Sequence, residues 1–212
     1  MEIRFSDIIP VPIPEKDIKQ SEVWNRDICF NAAEMILIYA DSGKGKTTLV
    51  NIIFGNRKDY SGDVFIDGTN VSQMKYDDIS VLRRNKLSIV PQGIALFDEL
   101  SMIENIRIKN RIFNFKTETE ISQMIKLLGL EGFENRKAAK MSFGQKQRVS
   151  IIRALCQPFE FILLDEAFSH LDVGNTEIAL NLIKSEANKQ NAGILLTSLS
   201  SDFNDELIKY RV

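Results

Sequence analysis

The sequence predicts an α/β fold in which helices cover a mainly parallel β-sheet. Four short apolar segments are typical of buried strands, and they lie at residues 35–39, 86–90, 161–165 and 193–197. Segments with helical spacing separate them, and strands that alternate with helices indicate parallel pairing. The chain has 212 residues, of which 44% are hydrophobic, and this is enough for one domain with a substantial core.

Three prolines punctuate the first part of the chain. Pro10, Pro12 and Pro14 alternate with apolar residues. Proline cannot donate to a sheet ladder, so these residues predict an extended or looped segment and exclude a central strand or helix there.

A helix and a hairpin follow. Residues 46–55 have helical spacing and end at Gly55, a typical C-terminal stop. Residues 61–71 show strand-like alternation around Asp67-Gly68, which predicts an antiparallel hairpin.

The middle of the chain changes character. From about residue 97 to 140, the segments 101–112 and 117–130 have helical periodicity. We therefore expect one domain, 1–212, in which approximately residues 97–140 form a helical insertion between the segments 1–96 and 141–212, which would form the α/β core and a β subdomain.

Charge and hydropathy exclude several classes of protein. The net charge is -2, which argues against a dedicated nucleic-acid binder, and no nucleic-acid partner is expected. No apolar stretch reaches the roughly 18–20 residues that span a bilayer, and the N-terminus lacks the apolar segment of a signal peptide.

The segment SGKGKTT, at residues 42–48, follows a predicted strand and opens a predicted helix. This is the context of a phosphate-binding loop, in which backbone N–H groups and the helix N-terminus face phosphate oxygens. Lys46 would reach the terminal phosphates and Thr47 would bind Mg²⁺. Ala40 stands where the strict pattern has glycine, so its φ must not be positive. The predicted nucleotide contacts are Asp41, Ser42, Gly43, Lys44, Gly45, Lys46, Thr47 and Thr48.

The segment FILLDE, at residues 161–166, ends in two acids. Taken alone, such a segment is more often a strand edge followed by a helix cap. With a phosphate loop upstream, we expect Asp165 to hold Mg²⁺ through water and Glu166 to orient or deprotonate the attacking water.

The segment MSFGQKQR, at residues 141–148, is a weak signal by itself. Ser142 and Gln145 form the pattern of a helix-capping box. The same helix N-terminus also offers N–H groups to an anion, so the structural and ligand-binding roles are compatible.

Together the motifs resemble the ATP-binding-cassette (ABC) ATPase family over nearly the whole chain. They are, in order, SGKGKTT, VPQ with Gln92, MSFGQKQR, FILLDE and SHLD at residues 169–172. The residues around VPQ look most like the compact cassettes of lipoprotein-release, macrolide-export and cell-division complexes. The resemblance implies a P-loop NTPase core, an N-terminal antiparallel β subdomain and an inserted α-helical subdomain.

The resemblance also implies a set of roles within one cassette. ATP and Mg²⁺ would be the cofactors, with Thr47, Gln92 and Asp165 as the metal positions. Glu166 and Gln92 would be catalytic, together with residue 198, which is a serine here.

Further roles are implied between two cassettes, which would be two copies of this chain or a paired cassette. Ser142, Gly144 and Gln145 of one cassette would close over the nucleotide of the other, and Asp172 would communicate between the two sites. ATP-driven closing of the two cassettes would move an integral membrane partner. That partner would hold the protein at the cytoplasmic face of the inner or plasma membrane.

The sequence departs from the family pattern at two motif positions. Phe143 replaces the first glycine of the signature, but Gly144 remains, so we expect the signature to function. Thr197 is followed by Ser198 where relatives have a histidine that contacts the γ-phosphate. The one histidine, His170, lies in a different motif and is expected at the surface or a dimer interface.

The base-binding residue is left open. Relatives stack adenine on an aromatic residue upstream of the phosphate loop, and the proline-rich segment has none. Trp24 either stacks on the base or packs in the core.

Two functions follow from these departures. The first is the ATPase subunit of an ABC transporter, with Glu166 driving hydrolysis. The alternative is a nucleotide-gated binding module of the same fold, with slow or vestigial hydrolysis because Ser198 replaces histidine.

Overall fold

The computed structural model describes residues 1–203 and 207–212. Its strands are β1 (Glu2–Pro10), β2 (Ile28–Asn31), β3 (Met35–Tyr39), β4 (Tyr60–Ile66), β5 (Thr69–Asn70), β6 (Leu87–Val90), β7 (Phe161–Asp165), β8 (Gly193–Ser198) and β9 (Ile208–Arg211). Its α-helices are α1 (Glu15–Gln20), α2 (Lys46–Ile53), α3 (Tyr76–Asn85), α4 (Met102–Asn110), α5 (Glu118–Leu127), α6 (Phe143–Leu155) and α7 (Val173–Gln190).

The strands form two sheets. One is antiparallel, with the order β2-β1-β4-β5, and the other is parallel, with the order β6-β7-β8-β3-β9. In the parallel sheet the carboxyl ends of β3, β6 and β7 meet at one edge, and this edge carries the phosphate loop, Gln92 and Asp165. Ligands of α/β proteins bind at such an edge.

Side chains of the parallel sheet alternate between two hydrophobic cores. Along β7, Ile162 and Leu164 pack against the core formed with α4–α7, whereas Phe161 and Leu163 pack against the core formed with α2 and the antiparallel sheet. Because both faces of the sheet are buried, its strands read as continuous apolar segments.

The predicted strands 35–39, 86–90, 161–165 and 193–197 are confirmed as β3, β6, β7 and β8. The hairpin is also confirmed, with Asp67 and Gly68 at φ 49° and 76° between β4 and β5. Helices α4 and α5 lie inside the predicted insertion 97–140; the domain bounds themselves stay a prediction.

Pro10 lies in an extended segment, as predicted, and that segment belongs to a strand. Pro10 is the last residue of β1, a strand inside the antiparallel sheet. The pairing of β1 with β2 covers only Glu2–Phe5, whereas its pairing with β4 continues to Pro10. Pro10 therefore has a sheet neighbour on one side only, and an edge position tolerates proline.

Strand β9 was not predicted. Its residues alternate two apolar with two basic side chains, Ile208 is 43% exposed, and the strand lies at the edge of the sheet. A short half-polar edge strand gives little periodic signal. Within the described residues, no helix is long and apolar enough to cross a membrane.

Candidate nucleotide-binding site

The phosphate loop connects β3 to α2 with a backbone that glycine permits. Gly43 and Gly45 have φ of 79° and 103°, values that side chains rarely adopt. Gly45 is also packed closely, because a Cβ there would lie 3.1 Å from the ring of Trp24. Ala40 has no positive φ, so alanine fits at that position as the sequence required.

Lys46, the first residue of α2, is buried beneath the loop. Its Nζ donates to the carbonyl oxygens of Ala40 at 2.8 Å and Asp41 at 3.1 Å, and it lies 3.3 Å from Glu166 Oε1. Its side chain is only 3% exposed, so this cation is held at the loop by groups that a phosphate can replace.

Three oxygen atoms converge at the carboxyl edge of the sheet. Thr47 Oγ1 lies 3.2 Å from both Gln92 Oε1 and Asp165 Oδ1. Thr197 Oγ1 donates to the same carboxylate at 2.9 Å and so orients it. The predicted metal positions Thr47, Gln92 and Asp165 are thus brought together.

Burial raises the pKa of the Asp165 carboxyl above 3.8, its ordinary value. Hydrogen bonds from Thr197 and Thr47 oppose this shift, the negative charge of Glu166 adds to it, and Lys46 opposes it. The ionised form is therefore costly in the folded protein. A cation in the site would relieve this cost.

Glu166 sits in a strained conformation directly after β7. Its φ is 49°, and such backbone strain in a non-glycine residue is characteristic of functional sites. Its N–H donates to Thr197 Oγ1 at 2.9 Å, and its Oε2 accepts from Gln92 Nε2 at 2.9 Å. The carboxylate thus faces the same cavity as Lys46.

Gln147 is a contributor that sequence reasoning missed. On helix α6, its Nε2 donates to the Glu166 carbonyl oxygen at 3.3 Å, and its Oε1 accepts from the His170 N–H at 3.2 Å. This buried amide fixes both ends of the segment 166–170. Gln147 lies inside the quoted signature segment, but nothing in its spacing indicates which way it points.

Some of the predicted nucleotide-binding residues line one cavity. It has a volume of about 260 Å³, and its lining includes Ser42, Gly43, Gly45, Lys46, Thr47, Thr48, Gln92 and Glu166. Asp41 and Lys44 line a different cavity, where Lys44 Nζ pairs with Asp17 Oδ1 at 2.8 Å. The side chains of Asp41 and Lys44 are therefore not available to the nucleotide, and only the backbone groups of these two residues are still predicted to contact phosphate.

The signature residues lie away from this cavity. Ser142 and Gln145 make the predicted capping box: Ser142 N–H donates to Gln145 Oε1 at 3.0 Å, and Gln145 N–H donates to Ser142 Oγ at 3.3 Å. A Cβ on Gly144 would lie 2.9 Å from the carbonyl oxygen of His170, so only glycine fits this contact. Ser142, Gly144 and Gln145 are not in the lining of the cavity.

Phe143, next to Gly144, also contacts His170. Its ring meets the His170 ring edge-on, with centroids 4.1 Å apart, and 47% of the Phe143 residue is exposed. His170 is exposed, as expected for a surface position.

Asp172 and Ser198 make local contacts. Asp172 caps α7 by accepting the Asn175 N–H at 2.8 Å, and that hydrogen bond lowers the pKa of its carboxyl. Ser198 ends β8, and its Oγ accepts the Ser200 N–H at 3.2 Å. It lines a second cavity that shares Glu166 and Thr197.

The burial of Trp24 decides whether this residue stacks on the base or packs in the core. Trp24 is 0% exposed and supports the phosphate loop from below, at Gly45. It packs in the core, so it is not the surface on which a base stacks.

The residues present suit the groups that the motifs imply. The oxygen donors are a hydroxyl, an amide and one carboxylate, which matches a hard cation that keeps several waters. In the described parts of the chain, no group of three or more His, Cys, Asp or Glu residues forms an all-protein metal cage. The N-terminus of α2 and Lys46 supply positive potential for a phosphate chain.

Comparison with known proteins identifies the family. Residues 24–169 match the sequence family described as ABC transporter, and this range is more than half of the chain. The chain therefore belongs to the ABC transporter family, and it has the fold of that family's ATPase domain.

Its curated relatives include import and export proteins. The chain is 38% identical over 142 residues to the trimethylamine N-oxide transport ATP-binding protein TmoW of Pelagibacter ubique, covering 66% of this chain and 42% of that protein. It is 33% identical over 185 residues to the macrolide export protein MacB of Escherichia coli, covering 86% of this chain and 28% of that protein. The chain thus spans less than half the length of these two relatives.

The fold prediction is confirmed by solved structures. A dimeric structure of MJ0796, a bacterial ABC transporter cassette, matches with a TM-score of 0.82 and 25% identity, covering 99% of this chain and 94% of that one. A second structure of MJ0796, a dimeric post-hydrolysis state bound to ADP and Pi, matches with a TM-score of 0.78 and 25% identity over 93% of this chain and 88% of that one.

Proposed function

We propose that this chain binds and hydrolyses ATP as the nucleotide-binding cassette of a transporter. One observation carries the proposal: the phosphate loop, Thr47, Gln92 and the strained Glu166 line one cavity, and Asp165 lies 3.2 Å from the Thr47 hydroxyl. Binding, charge neutralisation and water activation are the three requirements of phosphoryl transfer to water.

Each side chain has a role that its contacts support. Lys46 exchanges the carbonyl oxygens of Ala40 and Asp41 for phosphate oxygens. Thr47 and Gln92 would hold Mg²⁺ with the Asp165 carboxylate, and the ion would supply positive charge beside the phosphates. Glu166, held by Gln92 and by its own N–H, orients the attacking water and accepts its proton.

The site is completed by a second cassette. Ser142, Gly144 and Gln145 lie away from their own cavity, and Ser142 begins a helix whose N-terminus favours anions. In a head-to-tail dimer these groups reach the partner's nucleotide, and Asp172 lies between the two sites. The dimeric state of the structurally similar MJ0796 supports this arrangement.

The relatives support coupling to a membrane partner. TmoW belongs to a transport system, and MacB is a combined ATP-binding and permease protein. This chain would act through an integral membrane partner at the cytoplasmic face of the membrane.

A second function is favoured by one position. Ser198 carries no charge, and the Ser200 N–H binds its Oγ in a local turn. If the site needs a cation beside the γ-phosphate, the chain is a nucleotide-gated binding module that dimerises with ATP and hydrolyses it slowly.

Analytical ultracentrifugation with Glu166→Gln tests the proposal. With Mg²⁺ and ATP this variant should form a stable dimer, because the nucleotide is bound but not cleaved. The control is Lys46→Ala, which should stay monomeric because it lacks the phosphate contact. A Glu166→Gln chain that remains monomeric at saturating ATP would contradict the two-cassette site.

A further inference from the structure

The cavity over the phosphate loop has a wall that phosphate chemistry does not use. Besides the phosphate loop, Gln92 and Glu166, the lining consists of Pro10, Pro12, Ile13 and Pro14, which we call the proline wall. A polyanion gains little from aliphatic groups, so the wall suits a different part of the ligand.

The proline wall is attached to the phosphate loop on both sides. The Arg57 guanidinium donates to the carbonyl oxygen of Val11 and, at 3.0 Å, to Thr48 Oγ1. Beyond the wall, Asp17 of α1 pairs with Lys44 of the loop at 2.8 Å. The distance from wall to loop is therefore fixed before a ligand binds, and a preformed site loses little entropy on binding.

The side chains of the wall cannot read a hydrogen-bonding pattern. Its side chains have no polar atoms, and its three prolines have no N–H. The carbonyl oxygen of Pro14 accepts the N–H groups of Asp17 and Ile18. Only Ile13 has a backbone N–H among the four residues.

We propose that the proline wall is the surface on which the base of a bound nucleoside triphosphate lies. The base is held by apolar burial and dispersion, and the site therefore accepts adenine and guanine without distinguishing them. The inference rests on the proposed function, since the triphosphate places the base there, and it extends that function to nucleoside triphosphates as a class.

Isothermal titration calorimetry on the full chain with Mg²⁺ tests the inference with three probes: ATP, GTP and inorganic tripolyphosphate. ATP and GTP should bind within about threefold of one another. Both should bind about tenfold more tightly than tripolyphosphate, a gain that corresponds to roughly 55 Å² of buried apolar surface.

Two variants separate the wall from the phosphate loop. Ile13→Ala should weaken ATP and GTP alike by about three- to fivefold and leave tripolyphosphate unchanged, because only the base loses contact area. Pro12→Tyr should tighten both nucleotides by about fivefold or more, the effect of stacking a base on an aromatic ring. The matched control is Val11→Ala, since Val11 is 56% exposed and does not line the cavity.

The results that would contradict the inference differ from the result that would contradict the proposed function. A preference for ATP over GTP of more than about twentyfold would overturn the inference, because it requires a hydrogen-bonding reader and the side chains of the wall supply none. An equal loss of tripolyphosphate binding in Ile13→Ala would also overturn it. If neither nucleotides nor tripolyphosphate bind the wild type, the proposed function itself fails, and the inference fails with it.

Discussion

At the residue scale, the site depends on a few side chains that hold one another in place. Glu166 is fixed by Thr197 at its N–H, by Gln92 at its carboxylate and by Gln147 at its carbonyl oxygen. These partners come from β8, the segment after β6, and α6, so three elements determine the position of one carboxylate.

Gln147→Met should lower ATP turnover about tenfold without changing ATP affinity. The substitution keeps the volume but removes two hydrogen bonds that position the segment 166–170, and a loss of about 1.4 kcal/mol is within the range of such bonds. Steady-state kinetics and a binding titration measure the two effects. Lys146→Met on the same helix is the control, and a matching loss of turnover there would contradict a specific role for Gln147.

Asp165→Asn should raise the melting temperature of the nucleotide-free protein. The folded-state pKa of Asp165 lies above its value in the unfolded chain, so the folded state binds the proton more tightly and this carboxylate costs stability at neutral pH. Each 1 kcal/mol relieved corresponds to about 2–4 °C in a domain of this size.

The wild type should show the matching pH dependence. The Asp165 contribution becomes less unfavourable as the pH falls through the raised pKa, whereas Mg²⁺-dependent nucleotide binding weakens over the same window. Thermal melts of wild type and variant at neutral and acidic pH check this. The difference between them should shrink on acidification, and a variant that melts below the wild type at neutral pH would contradict it.

At the element scale, one buried ion pair connects the helical insertion to the rest of the chain. Lys116, just before α5, pairs with Glu186 of α7 through side chains that are 6% and 7% exposed. Breaking this pair would leave Glu186 with the exposed Lys189, 2.7 Å away, in place of its buried partner, so we expect a loss at the lower end for a buried pair.

Lys116→Met should therefore lower the free energy of unfolding by about 3 kcal/mol, the lower end for such a loss. The double variant Lys116→Met/Glu186→Leu should recover most of it. Urea denaturation measures both, and Lys137→Met is the control, because its pair with Glu99 is exposed and should change stability by less than about 0.5 kcal/mol. If Lys116→Met matches the control, the pair does not stabilise the insertion.

The elements also show what the sequence could and could not reveal. Buried parallel strands such as β7 are continuous apolar segments, and α6 begins with a serine cap, so both were predictable from local pattern. Strand β9 pairs at an edge with half-polar residues, and β1 ends in Pro10, so neither has a clear period.

Long-range contacts were not predictable either. Gln147 and Glu166 are 19 residues apart, and Arg57 and Val11 are 46 residues apart. Only the folded chain brings these pairs together. The same limit explains why Trp24 remained ambiguous until its burial beneath Gly45 was known.

At the scale of the whole molecule, the proposed function requires a single chain to present half of each of two sites. One half is the cavity with Glu166, and the other is the exposed N-terminus of α6 beside His170. The function proposed here requires both halves from two cassettes, together with a membrane partner that uses the movement.

The central claim is that this site hydrolyses ATP although Ser198 stands where relatives have histidine. The most direct measurement is phosphate release at saturating ATP and Mg²⁺ by the wild type, Glu166→Gln and Ser198→His, alone and with the membrane partner. We predict wild-type turnover at least about a hundredfold above Glu166→Gln, the contribution of a positioned general base. A wild-type rate equal to that of Glu166→Gln, with activity gained only in Ser198→His, would contradict the claim and identify a nucleotide-gated binding module.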